Sequence, residues 1–310
     1  YVRGDVAEFW AYAFVPLMFW GFYKVFDSPR RSPSATSEVG SVWKWVVVGA
    51  LGYAGVILSH NLTAMMVTPF LAIAILLYSY IAYRNKKTFT IYYLLFTALL
   101  GLMVSAFYWI PALLEMKYTN VLSQIGGGAD FRDHFVCLEQ LWESHWGFGG
   151  SAPGCMFDGM SFVIGKLHIL SFTFVLAIFG LTSLRIIKGY NEKIKEKLPV
   201  IMISILGFTI SVFLMLEVSK TIWETVPVMA FFQYPWRFLI LASFFSSILS
   251  GAVVFLLLQF KIKPFLTAFS LVFFLLFLNT KLFIPQTIFP VTAGNFTNEI
   301  ALKWTASKVS

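Results

Sequence analysis

Eight long apolar runs alternate with polar breaks along this chain, at residues 6–26, 42–59, 62–83, 89–113, 167–187, 198–216, 235–260 and 265–283. A helix rises about 1.5 Å per residue, so roughly 20 apolar residues cross a hydrocarbon layer of about 30 Å. The pattern predicts about eight transmembrane helices in an all-α, polytopic integral membrane protein. Pro16 is expected to kink the first span, and Pro111 falls close to the end of the fourth. The break at His60 and Asn61 is abrupt, which makes the second and third spans a tight helical hairpin. Residues 217–234, with Trp223, Glu224 and Pro227, read as a connector holding a short interfacial helix.

Two segments fall outside this rhythm. Residues 114–165 contain no spanning run but are rich in Gly, Trp and acidic residues, including Gly126-Gly127-Gly128 and Trp146-Gly147-Phe148-Gly149-Gly150. Loops of that length are functional or disordered, and the aromatic content predicts an ordered one. Residues 284–310 are polar and read as the start of a further segment. The expected organisation is a transmembrane domain over 1–283, with a long loop at 114–165, followed by a C-terminal segment over 284–310.

Composition agrees: 58% of residues are hydrophobic and 12% charged, with a mean hydropathy of +0.77. The chain opens on Tyr1 and shows no signal-peptide pattern. It is expected to be a piece of a longer protein with upstream spans. A net charge of +8 raises the question of nucleic acid. The basic residues lie at span ends instead of along one stripe, which excludes nucleic acid as the partner. Alternate loops collect Lys24, Arg30, Arg31, Lys44, Arg84, Lys86 and Lys87, the basic run up to Lys197, and Lys261 with Lys263. The positive-inside rule puts this set in the cytoplasm. The 114–165 loop and the C-terminus then face the extracytoplasmic side.

That orientation gathers the candidate chemistry on one face: Arg3, Glu8, His60, Asn61, the long loop, and Gln233-Tyr234-Pro235-Trp236-Arg237. Pro235 suits the first position of a helix and Trp236 suits a membrane interface. Arg237 has two readings: it snorkels to lipid headgroups, or it joins free backbone N–H groups in holding an anion. Glu8 is expected to be partly immersed, either functional or simply paired with Arg3. Cys137 and Cys155 share the outer loop, as a disulfide or as two thiols. The four histidines show no metal-ligand spacing, so neither a metal nor another cofactor is expected.

Four patterns, taken together, resemble a family. They are Tyr1-Val2-Arg3-Gly4 with Ala7-Glu8-Phe9, then Ser59-His60-Asn61, then Leu141-Trp142 through Trp146-Gly147-Phe148-Gly149-Gly150-Ser151 to Asp158-Gly159-Met160-Ser161-Phe162, and last Gln233-Tyr234-Pro235-Trp236-Arg237-Phe238. The chain is similar over nearly its whole length to the bacterial membrane-protein family labelled 6-pyruvoyl-tetrahydropterin synthase-related. The label carries no chemistry here, because the soluble synthase is a zinc enzyme and this sequence has no zinc site. The resemblance implies a GT-C-like fold in the bacterial cytoplasmic membrane. It also implies transfer of a sugar from a polyprenyl-phosphate carrier on the outer face, with membrane lipid and that donor as partners. The catalytic acid of such enzymes would lie upstream of Tyr1. In this reading Arg3 and Arg237 hold the lipid phosphate and Glu8 orients Arg3. His60, Asn61 and Gln233 bind sugar hydroxyls or phosphate oxygens, and Trp142 and Trp146 stack on a sugar face. The rival is a non-enzymatic transporter or assembly partner for lipid-linked glycans.

Overall fold

The computed structural model describes residues 6–28, 36–120, 123, 125–126, 129–145, 149–183, 192–259, 261–280, 290–300 and 302–303. Arg3, Trp146 and the cytoplasmic-loop candidates Arg30 and Arg31 lie outside the described residues. Among the described residues the regular structure is helical: α1 (Val6–Asp27), α2 (Thr36–Ser59), α3 (Asn61–Arg84), α4 (Thr88–Val104), α5 (Ala106–Leu114), α6 (Lys166–Ser183), α7 (Glu192–Met215), α8 (Lys220–Thr225), α9 (Leu239–Gln259), α10 (Pro264–Asn279) and α11 (Ala293–Thr297). The chain divides into two compact units, residues 1–264 and 265–310.

Each predicted run is largely helical over its described residues, but the number of spans narrows. Four helices are long and apolar enough to cross a membrane: Val42–Ser59, Asn61–Arg84, Ile194–Met215 and Pro235–Gln259. A fifth crossing exists if α4 and α5 count as one. Two of the remaining helices, Lys166–Leu181 and Pro264–Asn279, are apolar but short. The α1 helix carries Glu8, Lys24 and Asp27 within its own length, which dilutes its apolar stretch.

The α4–α5 break is a 69° bend, and it falls at Ser105 rather than at Pro111. Ser105 Oγ donates to the Gly101 carbonyl at 2.9 Å, and Trp109 Nε1 donates to the Leu102 carbonyl at 2.9 Å. The Gly101 carbonyl keeps its ladder bond from the Ser105 amide at 3.3 Å, and the indole gives the Leu102 carbonyl a partner at the bend, where apolar surroundings would penalise a bare one. Pro16, Pro69 and Pro199 sit inside α1, α3 and α7 without ending them.

Within the first unit, α1 and α2 pack backbone to backbone. A Cβ on Gly52 would lie 2.6 Å from the Met18 nitrogen, and one on Gly21 would collide with Gly49. Close approach through small residues is how apolar helices associate when lipid is as apolar as their side chains. The hairpin turn is set by His60, whose extended backbone (φ −157°) starts α3 and whose Nδ1 accepts from the Thr63 amide at 3.3 Å. The α9 helix packs against both α6 and α7. The predicted connector is a 3-10 turn (Glu217–Ser219), α8, and a second 3-10 turn (Pro227–Phe232).

The α3 and α9 helices end in the same way. The Lys86 amide donates to Tyr83 O and the Lys87 amide to Ala82 O; the Lys261 amide donates to Leu258 O and the Ile262 amide to Leu257 O. These pairs are Schellman motifs, with Lys86 (φ 56°) and Lys261 (φ 62°) in the left-handed position where glycine is usual. Lys86→Gly is therefore expected to relieve the Cβ strain and stabilise the protein by about 1 kcal/mol. The check is the melting midpoint in detergent, and Lys86→Val should move it the other way.

In the second unit, α10 buries none of its residues, and Phe265, Phe269, Phe273 and Phe277 stack along it at four-residue intervals. Asn295 and Thr292 close a capping box at the start of α11.

Candidate functional site

The site is built where α1 begins and α9 begins. Tyr234 is extended, and Pro235 occupies the first position of a 3-10 turn, Pro235–Phe238, that runs straight into α9. Pro costs nothing there, because the first amides of a helix have no carbonyl to reach. Just before it, Gln233 has φ 62° and ψ −44°. A non-glycine residue in that region is strained, and such strain persists only where the surroundings over-determine it.

What holds this stretch is aromatic. The buried Trp223 donates from Nε1 to Leu214 O at 3.0 Å. Around its ring stand Phe131, Phe135, Phe232 and Phe238, with centroids 5.3–6.2 Å away. The cluster ties the 114–165 loop, the connector and the start of α9 together. Offset and edge-on pairs of this kind each contribute about 0.5–1.5 kcal/mol beyond area burial.

The Gly/Trp-rich loop is ordered where it is described. Cys137 and Cys155 form a disulfide with Cα atoms 5.8 Å apart, which resolves the choice the sequence left open. Gln140 bridges the closed loop: its Oε1 accepts from the Cys137 amide at 2.9 Å, and its Nε2 donates to Asp158 Oδ2 at 2.6 Å. Asp158 Oδ1 accepts from the Ala152 amide at 2.9 Å. The loop docks on the end of α7 through the Val136 amide, which donates to Met215 O at 2.9 Å. Gly149 and Gly159 cross with their backbones in contact; a Cβ on Gly149 would sit 2.7 Å from Gly159 Cα.

The loop reaches the site through Ser151, which lies inside the disulfide-closed ring. Trp236 Nε1 donates to Ser151 Oγ at 3.0 Å, and Ser151 Oγ lies 2.7 Å from His134 Nδ1. Indole N–H is a donor only, so the serine oxygen accepts there, and the same oxygen is shared with the buried histidine ring. Tyr234 stacks on Trp236 at 5.1 Å, and the Arg237 guanidinium lies over the Tyr234 ring at 5.3 Å. Arg237 is thus oriented by a ring that the loop itself braces.

Glu8 and Arg237 line one cavity of about 380 Å³, with Phe9, Tyr12, Met160 and Trp236 among its walls and Leu239, Ile240 and Ser243 completing it. Glu8 is 4% exposed. A carboxylate so buried is costly unless compensated, and its place in the first turn of α1 puts it at the positive end of that helix. The lining carries charge of both signs, from Glu8 and Arg237, among mostly apolar and aromatic residues. No family model, curated protein or solved structure matches this chain.

Of the candidates from sequence, Glu8 and Arg237 meet at the cavity. Gln233 lies four residues away on the strained turn, and His60, Asn61 and Trp142 are not among the lining residues. His60 caps α3 and sits 2.8 Å from Thr63 Oγ1, while Asn61 Oδ1 accepts from Tyr108 Oη. The Trp142 ring carries the Lys166 ammonium at 5.4 Å. Sequence reasoning did not single out Tyr12, Met160, Leu239, Ile240 or Ser243 as site residues. Tyr12 was within reach, one helical turn past Glu8; nothing near Met160 in the sequence signals that the loop folds back there.

A second concavity, about 230 Å³, is lined by residues that include Phe131, Arg132, Trp223 and Glu224. Arg132 is clamped by Glu224 at 3.3 Å and Asp130 at 3.2 Å. Its hydrogen bond to Glu224, then the charge of Asp130, hold its guanidinium above the ordinary value. This exposed group is closed on itself.

Proposed function

We propose that the chain is a GT-C-like membrane glycosyltransferase that takes a polyprenyl-phosphate-linked sugar from the extracytoplasmic side of the bacterial cytoplasmic membrane. The observation that carries this reading is one cavity that joins the Arg237 guanidinium and the buried Glu8 to apolar walls. An amphiphile with one anionic end fits such a space. The planar guanidinium suits the phosphate, and its position over Tyr234 holds it in place. Phe9, Tyr12, Leu239 and Ile240 supply surface for the first isoprenoid units. The Cys137–Cys155 bridge favours an oxidising compartment for the loop. In this reading α1, the α4–α5 pair, α6 and α10 also count as spans, giving eight. The catalytic acid comes from upstream of Tyr1, and the family resemblance applies.

Arg237→Lys in the full-length protein is the test. It keeps the charge but loses the bidentate fork, and should weaken polyprenyl-phosphate binding by about 1–3 kcal/mol while leaving membrane insertion intact. Affinity is measured for wild type and variant at matched detergent and salt. Equal affinities would return Arg237 to a snorkelling anchor.

A further inference from the structure

We propose that Lys24, Lys44 and Trp45 form a headgroup site for an anionic phospholipid, at the end of α1 opposite Glu8. Lys24 lies in the last turn of α1, and Lys44 stands beside the first residues of the apolar stretch Val42–Ser59. Both ammonium groups rest on one indole: Lys24 Nζ is 5.7 Å and Lys44 Nζ 4.9 Å from the Trp45 ring centroid. The two cations therefore lie within about 11 Å of each other. The ring's negative face attracts each of them, but it does not neutralise their mutual repulsion. Among the described residues no carboxylate forms an ion pair with either lysine; the recorded ion pairs belong to Arg132. Asp27, the acid at the end of α1, acts instead on Tyr23 and on Lys197, whose ammonium donates to Tyr23 Oη at 2.7 Å. An anion at this indole would meet both ammonium groups.

The surroundings select a lipid anion over a soluble one. Trp20 stands edge-on to Trp45 at 4.7 Å and is itself 48% exposed, and indoles favour the headgroup level of a bilayer. From Lys44 an apolar stripe runs along the same face of α2 through Val47, Leu51 and Leu58, three, seven and fourteen residues on, all exposed. A phosphate held at the lysines would lay its acyl chain on that stripe. The ring contacts also restrain both lysines, so each pays less conformational entropy on binding than a free side chain.

The experiment titrates the purified full chain in detergent with phosphatidylglycerol or phosphatidylcholine, reading bound lipid by native mass spectrometry. Wild type should retain phosphatidylglycerol in preference to phosphatidylcholine. Each lysine near a membrane surface is worth about fivefold, so Lys24→Gln with Lys44→Gln should weaken phosphatidylglycerol about twenty-five-fold. Lys86→Gln with Lys87→Gln, which removes charge without the indole, should leave it unchanged, and Lys44→Arg should retain it. Inorganic phosphate should fail to displace the lipid. Equal binding of the two lipids by wild type, an unchanged double variant, or an equal loss in the Lys86 and Lys87 control would each overturn the site. Full displacement by inorganic phosphate would overturn the lipid as its ligand. The melting midpoint in phosphatidylcholine alone should be the same for wild type and double variant; a drop there would make the lysines structural and end the proposal.

Discussion

Gly52→Leu is expected to unseat α1 from α2 and cost about 3 kcal/mol or more, with a melting midpoint well below wild type in the same detergent. A Cβ at this position would meet Met18 N at 2.6 Å, Met18 Cα at 2.8 Å and Leu17 C at 3.1 Å. These are backbone atoms in the middle of a helix, so no side-chain rotamer relieves the clash and the helices must separate. Overpacking usually costs 1–3 kcal/mol, and the upper end applies where backbone has to move. Separation would also disturb the neighbouring Gly21–Gly49 crossing and the core position of Met18, which is fully buried. Gly251 provides the control: it is exposed on α9 with nothing within 4 Å of its would-be Cβ, so Gly251→Ala should be neutral or slightly stabilising. Equal midpoints for Gly52→Leu and wild type would remove close backbone packing from the account of this hairpin.

The helices were legible because long apolar runs permit little else, and the hairpin at His60 and Asn61 followed from the shortness of its break. The α4–α5 bend was not legible. The chain turns at Ser105, inside the fourth predicted run, where the Trp109 indole supplies the Leu102 carbonyl with a donor that no apolar pattern announces. The site divides in the same way. Glu8 and Arg237 stand out as ionisable groups against apolar sequence, and both line the cavity. His60 and Asn61 carry the same polarity but spend it elsewhere, on a helix cap and on the Tyr108 hydroxyl of α5. Sequence polarity does not distinguish a group that serves its own backbone from one aimed into a pocket.

Removing the disulfide is the second large effect. Replacing both Cys137 and Cys155 by Ser should cost about 3 kcal/mol, since the bridge joins residues 18 apart and closing a loop of that size withdraws comparable entropy from the unfolded chain. The loss should not stay local. Ser151 lies within the closed ring and holds the Trp236 indole, and Gln140 ties Asp158 to the same ring. Opening it frees the wall of the cavity beside Arg237. The measurement is the melting midpoint with and without reductant, followed by polyprenyl-phosphate affinity under the same two conditions. Wild type should lose on both counts, and the double-serine variant should be indifferent to reductant. A wild-type midpoint that ignores complete reduction would show that the hydrogen bonds of Gln140 and Asp158 are sufficient without the bridge.

The left-handed lysine at the end of α9 turns that helix into a ruler. Lys261 stops the helix and carries the charge that must stay at the aqueous edge, so helix end and membrane edge are fixed by one residue and α9 cannot slide along its own axis. The 24 positions from Arg237 to Lys261 span about 36 Å at helical rise. This exceeds a hydrocarbon layer of about 30 Å by only a few ångströms. A bilayer that left Lys261 in water on one face would meet Arg237 near its phosphate level on the other. A single residue inserted between Phe238 and Gln259 would lift Arg237 by about 1.5 Å and also rotate it through about 100°. The length of α9 thereby sets both the depth at which the guanidinium is presented and the direction in which it faces.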